Sequence, residues 1–257
     1  MTTIDIELAK ICSRIYPGPT NQRLLTIAGE KLAEQHYVHG LGNRGFSRIF
    51  HNDNAVVVAF RGTRDPIDWS VTNFQFWPAP YVCPDPAGVE ISVHGGFQRT
   101  LYYLDRTSGL PSIDRLCQIL LEIEIGERDL WITGHSLGGA IATLFAAKLR
   151  DRHPEIVSKS LRGVVLFGSP AVGGNAFSKY YGSLHELTKR YIHNSDIVPF
   201  SPPIGFRHVG AGHWYRKGVW RADPGWLLRI GLALRLPLLW RKDHSMVSYI
   251  EALQTRA

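Results

Sequence analysis

Gly134-His135-Ser136-Leu137-Gly138 stands between an apolar run, Leu130-Trp131-Ile132-Thr133, and a run over 139–149 that reads as a helix. Glycine and serine are common, so a G-x-S-x-G string alone says little. Its setting says more. A strand-to-helix turn sharp enough to expose Ser136 crowds it against both elements, so the residues two before and two after must be nearly free of side chain. Gly134 and Gly138 meet that demand. The chemistry is nucleophilic attack by a serine at the carboxyl edge of a parallel sheet. The plain alternative makes Gly138-Gly139 a flexible loop and Ser136 an ordinary helix cap.

A serine hydroxyl is a poor nucleophile at neutral pH and needs a base, an acid to orient it, and donors for an oxyanion. In a hydrolase of this topology the acid and then the histidine follow the serine, each after a later strand. Gly163-Val164-Val165-Leu166-Phe167 is the next apolar strand, closed by Gly168-Ser169-Pro170. Arg190-Tyr191-Ile192-His193 is another and ends in Asn194-Ser195-Asp196, which puts Asp196 where the acid belongs. Such clusters are also common Asx-turns and caps. Of the eleven histidines, His153, His193 and His135 read as bystanders, while His185, His208 and His213 stay possible on order or position. His244, before a closing helix that starts near Ser245, is the expected base; a solvated cap beside Asp243 is its alternative.

The oxyanion calls for two converging backbone N–H groups. Leu137 supplies one at a helix amino terminus. The other is expected after Asn54-Ala55-Val56-Val57-Val58-Ala59-Phe60, too continuously apolar for a one-faced sheet and so central. It leads into Arg61-Gly62-Thr63-Arg64, where Thr63 offers an amide and a hydroxyl.

With these residues assembled, the sequence resembles the class 3 lipases. The resemblance rests on ordered strings: Phe60-Arg61-Gly62-Thr63, Ile67-Asp68-Trp69, Val93-His94-Gly95-Gly96-Phe97, the elbow through Ala140, and Gly168-Ser169-Pro170-Ala171-Val172-Gly173. Asn194-Ser195-Asp196-Ile197-Val198-Pro199, Pro202-Pro203 and Asp243-His244 complete the set. It implies a Ser136, Asp196 and His244 triad with Thr63 and Leu137 as the oxyanion hole, on an α/β-hydrolase fold. It also implies a lid over 64–71 carrying Trp69, with Phe74, Phe76 and Trp77 along the acyl path. Gly173-Gly174 departs from the Gly-Asn that members often carry.

The elements that must position these groups follow from the pattern. The region up to Tyr37 reads as two amphipathic helices broken by Pro17-Gly18-Pro19, and 97–106 and 113–125 as two more. The expected class is α/β: one domain over 1–257, with a mostly parallel sheet and helices on both faces. Three cysteines are too few and odd in number for a disulfide framework. The start Met1-Thr2-Thr3-Ile4-Asp5-Ile6-Glu7 lacks the basic and apolar parts of a signal peptide, so a cytoplasmic location is expected.

No metal motif or P-loop competes, and no cofactor is expected. The formal net charge of +7 could suit nucleic acid, but the arginines are dispersed among apolar residues. An anionic membrane surface accounts for the charge as well. The stretch Pro224-Gly225-Trp226-Leu227-Leu228-Arg229-Ile230-Gly231-Leu232-Ala233-Leu234-Arg235-Leu236-Pro237-Leu238-Leu239-Trp240-Arg241-Lys242 is too interrupted to span a bilayer. It reads equally as an interfacial helix or as one packed on the sheet. The function expected is lipase-type hydrolysis of acylglycerols or polar glycerolipids. Acyl transfer on the same triad and a non-catalytic membrane-surface protein are the alternatives.

Overall fold

Every side chain of Ala55–Phe60 (β5) is buried, because both of its faces are covered. The computed structural model describes residues 3–16, 25–40, 45–62, 77–82, 90–202, 204–223 and 240–255. The strands are β1 (Thr26–Ile27), β2 (Glu30–Lys31), β3 (Glu34–His39), β4 (Gly45–His51), β5, β6 (Pro78–Pro80), β7 (Ser92–His94), β8 (Asp129–His135), β9 (Leu161–Phe167), β10 (Thr188–His193), β11 (Ala211–Arg216) and β12 (Val219–Ala222). Eight of them form one sheet in the order β12-β11-β10-β9-β8-β5-β4-β3. The five from β11 to β5 run parallel, and antiparallel strands close both edges.

Alternation along the central strands builds two cores. Val56, Val58 and Phe60 join Leu130, Ile132, Val164 and Leu166 on one face. Among the helices that pack there are α2 (Gly95–Leu101), α3 (Ser112–Glu122), α4 (Leu137–Arg152) and α6 (Asn175–Tyr181). On the other face Val57, Ala59, Val165 and Phe167 meet α1 (Thr3–Arg14) and α9 (Met246–Gln254), which also pack on each other. The short helices α5 (Pro154–Ser160), α7 (Leu184–Leu187) and α8 (Trp240–Asp243) lie in the connections. Helices therefore cover both faces, as the pattern predicts, and β5 (Ala55–Phe60) is interior to the sheet, between β8 and β4.

Two expected helices differ. The second amino-terminal helix is replaced by β1, β2 and β3, and Pro17-Gly18-Pro19 lies outside the described residues. Ala28 and Gly29 have φ of 53° and 82°, which makes the turn between β1 and β2. The buried Glu7 carboxylate anchors this turn to α1, accepting from Thr26 Oγ1 at 2.7 Å and from the Ala28 N–H at 2.8 Å. Pairing of β3 with β4 then satisfies the backbone that a helix would have satisfied internally. The helix expected over 97–106 stops at Leu101, because Asp105 organises a loop instead. Its carboxylate accepts from the His39 and Ser108 N–H groups, at 2.8 and 2.9 Å.

His94 ends β7 and caps α2, and its Nδ1 accepts from the Phe97 N–H at 3.4 Å. Burial lowers its imidazole from 6.5 to about 4. The unfolded chain therefore binds this proton at a higher pH than the folded one. Stability from this group is complete above about 6.5 and is lost as pH falls toward 4. Urea midpoints should fall between pH 7 and pH 5, and fall less for His94→Asn, which keeps a capping side chain without a titrating ring. Equal slopes in the two proteins would show that other groups carry the acid sensitivity.

Candidate active site

The turn from β8 into α4 is set by close contacts at its glycines. A Cβ on Gly138 would collide with the Phe60 carbonyl, and one on Gly134 with the Gly138 carbonyl. A Cβ on Gly139 would sit 2.6 Å from Ser169 Cβ. Only glycine permits that approach between β5, β8 and α4. Ser136, between them, has φ 58° and ψ −132°, a conformation that L-residues adopt at a cost of about 1–3 kcal/mol. The Ser136 N–H still donates to the Phe167 carbonyl at 2.9 Å, so the ladder to β9 fixes the turn. The Ser136 hydroxyl is buried and has no hydrogen-bond partner among the described residues.

Asp196 follows β10 and is fully buried. Its Oδ1 accepts from the Val198 N–H at 3.0 Å. Its Oδ2 accepts from His244 Nδ1 at 2.8 Å and from the Tyr249 hydroxyl at 2.5 Å. Burial and the neighbouring carboxylate push the Tyr249 phenol well above its ordinary range, so it remains a donor. With Nδ1–H donated to Asp196, the neutral form of the His244 ring has its lone pair on Nε2. Gly168, after β9, has φ +56°, and a Cβ there would sit 2.7 Å from Asp196 Oδ2 and 3.0 Å from His244 Nδ1. The carboxylate and imidazole thus pair beside Gly168, after β9, and the strained serine follows β8, with no hydrogen bond joining Ser136 Oγ to His244 Nε2.

The His244 loop is pinned from both sides. Asp243 Oδ2 accepts from the Ser195 N–H at 3.1 Å, and Ser245 caps α9 by accepting from the Val247 N–H at 3.3 Å. The other possible histidines sit elsewhere. His185 bonds the Ser178 carbonyl and the Gly210 N–H, His208 bonds the Pro199 carbonyl, and His213 stacks on Tyr191.

Leu137 opens α4, where the first amides have no intrahelical acceptor. Thr63, Trp69, Phe74 and Phe76 lie outside the described residues, as does 224–239. Gly62, next to Thr63, lies against the elbow, and a Cβ there would be 2.9 Å from Ser136 Cβ. Trp77 is 74% exposed, and its carbonyl accepts from the Gly95 N–H at 3.1 Å. Beside it opens a cleft of about 430 Å³ lined by Pro78, Ser92, Pro202, Ile204 and Phe206. The sequence reading missed Tyr249 and Tyr16 and set His135 aside. The His135 side chain turns toward His244, with ring centroids 4.5 Å apart. Nothing in the string G-H-S-L-G signals that contact.

A strained serine at the start of the helix after a central parallel strand, a buried acid two strands later and a histidine before the closing helix define an α/β-hydrolase. Residues 57–206, more than half of the chain, match the family described as Lipase (class 3), and the chain belongs to that family. It is similar to Phospholipase A1-II 2 of Oryza sativa subsp. indica, 32% identical over 193 residues that cover 68% of this chain and 47% of that protein. The chain thus spans about half the length, or less, of the curated relatives it matches. The Rhizomucor miehei triacylglyceride lipase structure aligns with a TM-score of 0.64 at 24% identity, covering 83% of this chain and 81% of that one. A triacylglycerol lipase whose catalytic centre is formed by a serine protease triad aligns at 0.60 and 25% identity, over 82% and 77% of the two chains.

Gly62→Ala places a methyl group within 2.6 Å of Tyr16 Oη, 2.8 Å of the His135 carbonyl and 2.9 Å of Ser136 Cβ, so the backbone there must move. Labelling of Ser136 by a fluorophosphonate should slow by at least about tenfold, with the circular dichroism spectrum kept. A variant that labels at the wild-type rate would show that Gly62 lies outside the reacting geometry.

Proposed function

We propose that the protein is a serine carboxylic ester hydrolase of the lipase type, acting on acylglycerols or polar glycerolipids through an acyl-enzyme. The observation that carries the proposal is the 2.8 Å bond from His244 Nδ1 to buried Asp196, beside a serine held at φ 58°. Membership of the Lipase (class 3) family supports it, as does likeness to a phospholipase A1 and to triacylglycerol lipases.

Ser136 is the nucleophile, His244 the base and Asp196 the orienting acid. As the serine oxygen bonds to the ester carbon, His244 Nε2 takes its proton, and Asp196 stabilises the imidazolium. The carbonyl oxygen becomes an oxyanion, held by the Leu137 and Thr63 amides, with the amino end of α4 adding favourable partial charge. The tetrahedral intermediate then expels the alcohol, which leaves with the proton from His244. Water, deprotonated by His244, attacks the acyl-enzyme, and the acid departs as Ser136 regains its proton.

The apolar cleft lined by Pro78, Pro202, Ile204 and Phe206 would suit an acyl chain. Trp69, Phe74 and Trp77 are its proposed lid and bordering aromatics. In this reading the whole chain acts as a single domain. It works in the cytoplasm, in keeping with the unbridged buried thiols of Cys12 and Cys117. No helix among the described residues is long and apolar enough to cross a membrane. Peripheral contact with an anionic membrane surface is assigned to the basic, Leu- and Trp-rich stretch 224–242.

Ser136→Ala should remove ester hydrolysis and fluorophosphonate labelling together, with the fold kept. Asp196→Asn and His244→Ala should lower turnover by about three to six orders of magnitude. Rates measured on triacylglycerol, phospholipid, galactolipid and short-chain esters would name the substrate class. Near-normal turnover by folded Ser136→Ala would sink the mechanism.

A further inference from the structure

A second chain of hydrogen bonds runs through the site, and its direction is set at both ends. The Gly62 N–H can only donate, and it does so to Tyr16 Oη at 3.1 Å. The His244 carbonyl can only accept, so the proton on the 2.8 Å contact between them belongs to His135 Nε2. Burial and the nearby His244 hold the His135 imidazole well below its ordinary range, so the ring is neutral and carries one proton. Nδ1 is therefore an acceptor, and the Tyr16 hydroxyl, 2.8 Å away, donates to it. Burial pushes the Tyr16 phenol up, so that proton stays in place. The order is Gly62 N–H to Tyr16, Tyr16 O–H to His135, and His135 Nε2–H to the His244 carbonyl.

These four residues come from four places in the fold. Tyr16 follows α1, Gly62 follows β5, His135 ends β8 and His244 precedes α9. The sheet registers β5 against β8, but the loops carrying Tyr16 and His244 lie outside that ladder. The side chain of His135 spans the gap, with the Tyr16 ring edge-on at 5.7 Å and the His244 ring at 4.5 Å. We propose that Tyr16 and His135 are positioning residues that hold Gly62 and the main chain of His244 in register with Ser136. The inference rests on the triad read above and adds to it a tautomer lock. Without the Tyr16 hydroxyl, the Gly62 N–H loses its acceptor and His135 is free to take the Nδ1–H form. That form turns a ring lone pair against the His244 carbonyl oxygen, which repels it.

The test compares wild type, Tyr16→Phe, His135→Phe, the double variant and His135→Gln on a soluble short-chain ester. Fluorophosphonate titration counts competent sites, so kcat is expressed per titrated site and misfolded protein is discounted. Tyr16→Phe should lose about tenfold to a hundredfold in kcat with KM within about twofold, the mark of displaced reacting groups rather than lost binding. His135→Phe should lose at least as much, and the double variant no more than His135→Phe, because both break one chain. His135→Gln, whose amide can still donate toward the His244 carbonyl, should recover part of the loss. Wild-type kcat per site in Tyr16→Phe overturns the inference, even if fewer sites titrate or the melting temperature falls. Multiplying losses in the double variant, or no recovery with glutamine, overturns it as well. A wild-type protein that neither labels nor hydrolyses would instead bring down the triad reading beneath it.

Discussion

The buried carboxylate of Asp196 is the group on which the rest of the site depends. An ionised carboxyl group taken out of water costs several kcal/mol unless donors replace its hydration. Here the donors are the Val198 N–H, His244 Nδ1 and the Tyr249 hydroxyl. They come from the turn after β10, the loop before α9 and α9 itself, so satisfying one charge docks three pieces of chain. Tyr249 extends the tie by accepting from the His193 N–H at 3.2 Å, which brings the end of β10 into the same cluster. The closing helix thus serves the fold and the chemistry through a single side chain. It seals one sheet face with Met246, Tyr249 and Leu253, and it supplies the second side-chain donor to Asp196.

The other governing constraint is steric. Gly134, Gly138 and Gly139 let α4 start almost in contact with β5, β8 and the loop after β9. That closeness puts Ser136 into a conformation with positive φ while its N–H still completes the β8 to β9 ladder. The strain is borne by a helix whose residues from Gly138 to Leu149 are all buried, so packing over that length offsets it. The neighbouring Gly62 and Gly168 let the end of β5 and the Asp196–His244 pair approach at the same closeness.

Much of this was legible in the amino-acid order. The consecutive apolar residues of β5 declare a strand covered on both faces, and the glycine spacing around Ser136 declares a sharp strand-to-helix turn. The order serine, acid, histidine makes Asp196 and His244 candidates while leaving His185, His208 and His213 possible on order or position, because chain order is a property of topology that sequence carries directly. Local pattern failed where long-range pairing won. The segment 25–39 has a helical rhythm, yet it turns at Ala28-Gly29 on the Glu7 carboxylate and adds an edge strand against β4. Asp105 likewise ends α2 early, by gathering N–H groups from residues as far away as His39.

By itself, then, the sequence determined the class of the sheet, the turn that carries Ser136 and the candidates for acid and base, because each depends on neighbours in the chain or on their order. Only the tertiary structure decided what surrounds them. Tyr249 is five residues from His244 and 53 from Asp196, and no periodicity marks it as the second side-chain donor to that carboxylate. Tyr16 lies 119 residues from His135, and its role appears only when α1 is packed beneath β8. His135 offers two nitrogens to whatever surrounds it, and the sequence says nothing of which bears the proton. The fold answers by setting a carbonyl oxygen against one and a phenol against the other, since a hydrogen bond's direction belongs to the pair and not to either residue.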